Sequence, residues 1–289
     1  MLRTRRCLLV SLLIAALTAA AMAVLAFVIY FIVREALPIF EEVGLGELVL
    51  GRQWMPIDFT GVTSFGIFNF LAATIYVSVV GMALALLVGL GAALYLSCQA
   101  SDRVRGYLYP VIDLLAGIPS VIYGFIGLVT LVRLFMRAGV STGSCVLAAG
   151  VLLAVMLLPF LVSSCSETML AARRNYLPAS QALGVSKWYA AAAVILPASW
   201  KNILLAMVLA NGRAMGETMA VMMVMGNANL FPRLLGKGES IAAVIALEMG
   251  TAVVGSPHYH ALYAAGLVLM VLLCAINVTI GLIREKLTG

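Results

Sequence analysis

Residues 211–227 read Asn-Gly-Arg-Ala-Met-Gly-Glu-Thr-Met-Ala-Val-Met-Met-Val-Met-Gly-Asn, setting Arg213 four residues before Glu217 in an otherwise apolar stretch. In a bilayer each ionisable group costs several kcal/mol unless it pairs or faces water, so such a stretch is read first as a functional site. On one continuous helix the two side chains stand about 40° apart on one face, within pairing reach. A guanidinium takes an oxyanion through charge-assisted hydrogen bonds, and a carboxylate holding that guanidinium limits how tightly the anion stays, which suits passage. The same spacing also describes a structural ion pair that joins helices. Ala206, Ala210, Gly212, Gly216 and Ala220 share the charged face, which is expected to meet other helices or a path. Met207, Met215, Met219, Met222 and Met225 fall mostly on the other, toward lipid or a partner. Asn227, Ser120 and Thr218 are further path candidates, although helix capping and local backbone bonding also explain them.

The rest of the chain must position these groups. Of its 289 residues 64% are hydrophobic and 10% charged, with mean hydropathy +1.11, whereas a soluble domain carries about 25% charged residues. An all-α polytopic membrane protein is expected, with six transmembrane helices at roughly 7–33, 67–97, 107–132, 143–163, 203–225 and 261–283. The first follows Arg3, Arg5 and Arg6 and runs past the length of a signal-peptide core, so it is read as an uncleaved span. Residues 241–254 are apolar but short and contain Glu248, and are read as lying at or dipping into the outer surface. This arrangement puts Arg103, Arg105, Arg173, Arg174, Lys187, Lys201, Arg284 and Lys286 inside with the N-terminal arginines, and only Arg34, Arg52, Arg133, Arg137, Arg233 and Lys237 outside. Both termini are then cytoplasmic. The organisation is a first helix and external loop with interfacial aromatics such as Trp54 (1–66), a five-helix core (67–283) holding an internal segment (164–202), and a tail (284–289).

Asp113, Gly117 and Pro119 interrupt the third apolar segment. Either a discontinuous helix points backbone N–H groups at an anion, or a proline kink stands there without a ligand. In the internal segment Pro178 is expected to start a helix, Gly184 to stop it and a second helix to run to Pro197. Such a hairpin suits docking in a groove of another protein, or lying on the membrane surface. The five cysteines (Cys7, Cys98, Cys145, Cys165 and Cys274) have no framework spacing and read as packing residues. His258 and His260 lack acidic or Cys companions in sequence and read as ordinary surface residues, so no metal site is expected. The net charge of +6 comes without a basic run interleaved with aromatics, and no nucleic-acid partner is expected.

The spacing of Ala179, Gly184 and Ile195-Leu196-Pro197 resembles the EAA loop by which permeases of ABC importers contact their ATPase subunits. Residues 114–125, from Leu114 through Gly117-Ile118-Pro119-Ser120 to Phe125, and 212–221 with Gly226-Asn227, resemble the high-affinity phosphate importer permeases, specifically the PstC-like subunits. Trp54-Met55-Pro56, Phe65-Gly66-Ile67 and Gly255-Ser256-Pro257-His258 extend that resemblance. Pro178 stands where the loop usually has its glutamate, and Ala73-Thr74-Ile75 where Gly-Thr-Leu is common. Sulfate and molybdate permeases share an Arg-x-x-Gly-Glu pattern and a later Gly-Asn, so the charged pair alone says oxyanion.

The resemblance implies a type I ABC importer permease in a bacterial cytoplasmic (inner) membrane, not an enzyme. Partners are a second, PstA-like permease, two PstB-like ATPase subunits and a periplasmic PstS-like phosphate-binding protein. ATP and Mg belong to the ATPase partner and no cofactor to this chain, which lacks a Gly-x-x-x-x-Gly-Lys-[Ser/Thr] motif. Pro178, Ala179, Ser180, Gly184, Lys187, Trp188, Leu196 and Pro197 are the expected coupling residues. A secondary transporter is the rival reading, tested by uptake without ATP.

Overall fold

The computed structural model describes residues 2–56 and 63–286. The expected basic flanks Arg3, Arg5, Arg6, Arg284 and Lys286, and Cys7, lie outside the described side chains, and 287–289 of the expected tail outside the described residues.

Among the described residues six helices are long and apolar enough to cross a membrane: Val10–Glu42, Phe68–Cys98, Ser120–Arg137, Val146–Ala182, Lys187–Gly216 and Pro257–Leu282. In chain order the elements begin with α1 (Leu2–Glu42), α2 (Leu45–Leu50), an antiparallel pair β1 (Trp54–Met55) and β2 (Ser64–Phe65), and α3 (Phe68–Cys98). Then come α4 (Asp102–Ala116) and α5 (Ser120–Gly127), which passes through a π turn, Leu128–Val132, into α6 (Arg133–Arg137). The chain continues as α7 (Val146–Ala182) and α8 (Lys187–Ala190), which runs through a second π turn, Ala191–Ile195, into α9 (Leu196–Gly216). α10 (Met219–Met225), α11 (Ile241–Glu248) and α12 (Pro257–Lys286) complete it.

The central packing joins α3, α7 and α9. Small residues bring α3 and α7 together: a Cβ on Gly81 would stand 2.9 Å from the Leu153 side chain, and one on Gly150 would stand 2.6 Å from that of Val80. Leu157, Leu161, Ile203 and Ala210 are buried behind them. Cys98, Cys145 and Cys165 are buried free thiols, as packing residues should be, and Cys274 is exposed.

The elements differ from expectation where backbone chemistry outweighs the apolar pattern. α1 runs through Pro38 to Glu42, and α2 and the β pair follow, where an external loop is expected. Ala36, Ile39, Leu48, Trp54 and Phe65 enter one core with Ile241, Val244 and Leu262. α7 runs on past Ser163 to Ala182, through Pro159 and Pro178, so Pro178 does not start a helix. Pro197 does not end one either. It sits in the first turn of α9 just after the π turn, whose i→i+5 pattern accommodates a residue with no N–H. Gly184 does stop α7: at φ +75 it is followed by Val185 N donating to Ser180 O (3.1 Å), while Gly184 N donates to Gln181 O (3.0 Å). These two bonds are a Schellman cap, which needs a left-handed residue. Gly184→Val is expected to cost about 1–3 kcal/mol locally, read as faster amide exchange over residues 183–189 with the α3–α7 core unchanged.

Candidate functional site

The fifth span is interrupted at the charged pair. α9 ends at Gly216, Glu217 turns extended (φ −69, ψ 120), and α10 starts at Met219. Glu217 Oε1 accepts from Ala220 N at 3.3 Å and so caps α10, where a carboxylate meets the positive end of the helix dipole. Arg213 occupies the last turn of α9, the end that favours a cation. The expected Arg213–Glu217 ion pair does not form, because the break removes the shared face. Among the described residues the close contacts between basic and acidic side chains are Arg105–Asp102, His258–Glu248 and His260–Glu35. Arg213 is exposed on this chain and Glu217 half-buried. The break also reorients the methionines: Met215 and Met225 are buried with Ala206, Ala210 and Ala220, while Met219 is exposed.

The expected third span, 107–132, is divided: residues 107–116 belong to α4, which is not among the crossing helices, and the crossing itself begins only at Ser120. α4 stops at Ala116, Gly117-Ile118-Pro119 turns, and α5 begins at Ser120 with no side-chain cap. The Tyr123 hydroxyl donates to Leu115 O at 2.9 Å and pins the turn. α5 packs on α10 through glycine: a Cβ on Gly124 would lie 3.0 Å from Ala220 Cα, and one on Gly127 3.0 Å from the Val224 side chain. That register, 124 beside 220 and 127 beside 224, sets Ser120 level with the break at Gly216–Thr218. The uncapped N-terminus of α5 and Ser120 therefore stand level with Thr218 at the break, about one turn beyond exposed Arg213 on α9; backbone N–H groups at a helix start attract anions. Thr218 Oγ1 donates to Gly216 O (3.2 Å) and braces the turn. Asn227 lies apart, past the far end of α10, a helix of 7 residues and so about 10 Å long at 1.5 Å per residue. It is exposed, at φ 44, and with left-handed Gly226 it turns the chain after α10.

At the hairpin, Leu183, Trp188 and Tyr189 are 81%, 61% and 63% exposed, an apolar and aromatic tip open to a partner. Pro178, Ala179, Gly184, Lys187 and Pro197 are exposed as well, Leu196 is half-buried, and Ser180 turns inward with its hydroxyl donating to Tyr176 O (2.9 Å). The Ser186 side chain accepts from Tyr189 N at 3.3 Å and restarts the helix.

The opposite end of the bundle holds a polar cluster that sequence reasoning missed. Trp54 is buried rather than interfacial, with Phe65 and Phe70 edge-on at 5.8 and 5.7 Å, and its Nε1 donates to Glu248 Oε2 at 2.9 Å. His258 Nε2 meets the same oxygen at 2.8 Å and is buried, and His260 Nδ1 donates to Glu35 O at 2.7 Å. The histidines are thus helix-joining groups, not surface ones; their partners stand 10 and 225 residues away, which no local spacing reveals. Between this cluster and α3 lies buried Glu239, beside Ser240, which caps α11, and Ile241, whose N–H donates to Thr74 Oγ1 (3.0 Å). Burial, and then the Glu248 carboxylate, push the Glu239 carboxyl up to about 7. A carboxyl raised in the folded state is neutral there while the unfolded chain ionises above its ordinary value of 4.5. Stability is therefore fully retained below that value and lost as pH rises toward about 7, on the order of 3 kcal/mol. Thermal unfolding in detergent from pH 5 to 8 is expected to show this decline, and Glu239→Gln to flatten it.

The sequence matches the family described as binding-protein-dependent transport system inner membrane component over residues 85–285. The chain belongs to that family. Relatives of this permease include the probable ABC transporter permease protein YqgH of Bacillus subtilis, 33% identical over 78% of this chain and 73% of the relative. The phosphate transport system permease protein PstC of Xylella fastidiosa is 33% identical over 82% of this chain and 78% of its own. A probable PstC of Methanocaldococcus jannaschii is 30% identical over 84% and 82%. Among solved structures, a chain of the inward-facing MetNI methionine ABC transporter superposes with TM-score 0.59 at 18% identity, covering 75% of this permease and 94% of that chain, a likeness of fold. The permease is an all-α, multi-pass membrane protein with the ABC importer permease fold, and a transport subunit rather than an enzyme.

Proposed function

We propose that this permease forms half of the membrane path of an ATP-driven inorganic phosphate importer. The observation that carries an anion path is Arg213, an exposed guanidinium within a membrane-spanning helix, freed because Glu217 caps α10 instead of pairing with it. An unpartnered cation facing lipid would be costly, so its exposed side belongs against a water-filled path completed by a second subunit. Phosphate rather than another oxyanion is supported by the PstC relatives. Six crossings return the chain to the side it started from, and the basic residues favour the cytoplasm for both termini and the hairpin.

In this reading a PstA-like permease completes the path, two PstB-like ATPase subunits bind ATP and Mg and act on the exposed hairpin tips, and a PstS-like protein delivers phosphate outside, at a bacterial inner membrane. Arg213 draws phosphate to the level of the two helix breaks, with Ser120 and Thr218 as polar neighbours. Closure of the ATPase pair then shifts the hairpins and alternates access. The test is uptake of labelled phosphate into vesicles holding the full complex, with ATP inside or absent and with sulfate or molybdate competing. Phosphate-selective, ATP-dependent uptake is expected. Uptake without ATP overturns the coupling, and stronger competition by sulfate or molybdate overturns the substrate.

A further inference from the structure

At the hairpin end of the bundle α7, with Arg105 of α4, lines an open cavity of about 330 Å³. Arg105, Arg173 and Arg174 line it with the Gln181 amide, and Leu170 and Leu177 supply an apolar wall. No carboxylate lines it. Arg105 Nε donates to Leu96 O at 2.7 Å and its Nη2 to Ser97 O at 3.2 Å; Arg173 Nη1 donates to the same Ser97 O at 2.7 Å. These bonds satisfy the last carbonyls of α3 and hold two guanidiniums in fixed directions. The counter-charge nearby is Asp102, 3.2 Å from Arg105 Nη1, and its side chain is fully exposed to solvent. Arg174 is exposed and has no hydrogen-bond or ion-pair partner among the described residues.

Topological bias asks for basic residues at this end. It does not ask for three of them around one concavity, two secured to backbone carbonyls and the third left open. A fixed fork of guanidinium donors with an adjoining amide suits a tetrahedral phosphate oxyanion, and the volume is that of a small-ligand site. We propose that this cavity binds a phosphate group, belonging either to inorganic phosphate or to an anionic phospholipid headgroup. The site is separate from the Arg213 level and does not depend on the transport reading. Gln181 lies in the last turn of α7, so an occupant would brace the root of the hairpin against α4.

The test uses the purified full chain in phosphatidylcholine nanodiscs, following thermal unfolding at matched ionic strength. Inorganic phosphate is added in one arm, and in another part of the lipid is replaced by phosphatidylglycerol. Wild type, Arg174→Gln, Arg174→Lys and Arg213→Gln are compared, with unliganded midpoints showing that each variant folds. A rise of several degrees with phosphatidylglycerol, lost in Arg174→Gln and partly kept in Arg174→Lys, supports the proposal and identifies the lipid. The same pattern with inorganic phosphate, persisting in Arg213→Gln, supports it and identifies the free ion. No rise in either arm, or a rise as large in Arg174→Gln as in wild type, overturns it.

Discussion

Arg213→Gln is expected to lower phosphate uptake by the reconstituted complex by roughly ten- to a hundredfold, the loss set by about 1.5–3 kcal/mol for a hydrogen bond to a charged group. The variant should still assemble, because Arg213 makes no hydrogen bond or ion pair on which the bundle depends among the described residues, and its side faces outward. Arg213→Lys should recover part of the uptake, since it keeps the charge but not the planar fork. Glu217→Gln supplies the contrast: a glutamine oxygen can still accept from Ala220 N, so α10 keeps its cap. Its uptake should fall less than that of Arg213→Gln. Equal, normal uptake by both variants, with assembly verified by co-purification, would remove Arg213 from the path.

The second large effect is on assembly. Gly124→Leu should sharply reduce the folded permease recovered from the membrane. A Cβ at Gly124 would lie 2.8 Å from Met223 Sδ, 3.0 Å from Ala220 Cα and 3.4 Å from Met219 O, and the last two belong to backbone. α10 cannot retreat, since Val221 and Met225 are buried on its other side against Ala73 and Val77 of α3 and Val146 and Ala149 of α7. Overpacking of this kind costs about 1–3 kcal/mol and more when backbone must move. Gly117→Ala is the control: its Cβ meets Leu114 O at 3.5 Å, an ordinary contact, and φ there is −84. Normal recovery of Gly124→Leu at the wild-type thermal midpoint would refute the close seating of α5 on α10.

The number of crossings, the turn at Gly184 and the break at Gly117–Pro119 were legible because each rests on a local signal. Apolar length marks a crossing, a glycine that can adopt positive φ marks the end of α7, and proline restricts the residue before it. The break at Glu217 was not legible, since Arg-x-x-x-Glu on an apolar background also describes one helix face. What decides it is tertiary: α5 fixes the phase of α10, and Glu217 finds a backbone N–H in place of a guanidinium. Pro178 and Pro197 misled for a related reason. Proline weakens a helix by a missing hydrogen bond without forbidding it: α7 runs on through exposed Pro178, and a π turn precedes Pro197. The Trp54–Glu248–His258 cluster joins segments far apart in sequence, where composition and spacing carry no information.

α7 is one unbroken helix of 37 residues, about 55 Å long at 1.5 Å per residue. A membrane core of about 30 Å contains little more than half of it. Cys145 accepts from Ala148 N at its far end, and the Schellman cap closes the near end beside the exposed hairpin tip. α3 packs along α7 from Val146 and Ala149 in its first turn to Arg173, so the two helices form one stiff rod that would pivot as a lever about the middle of the membrane. A tilt of about 10° about that point would carry each end through about 5 Å in opposite directions, given the length above. Force applied at the tip would then be returned, reversed in sense, at the other face of the membrane.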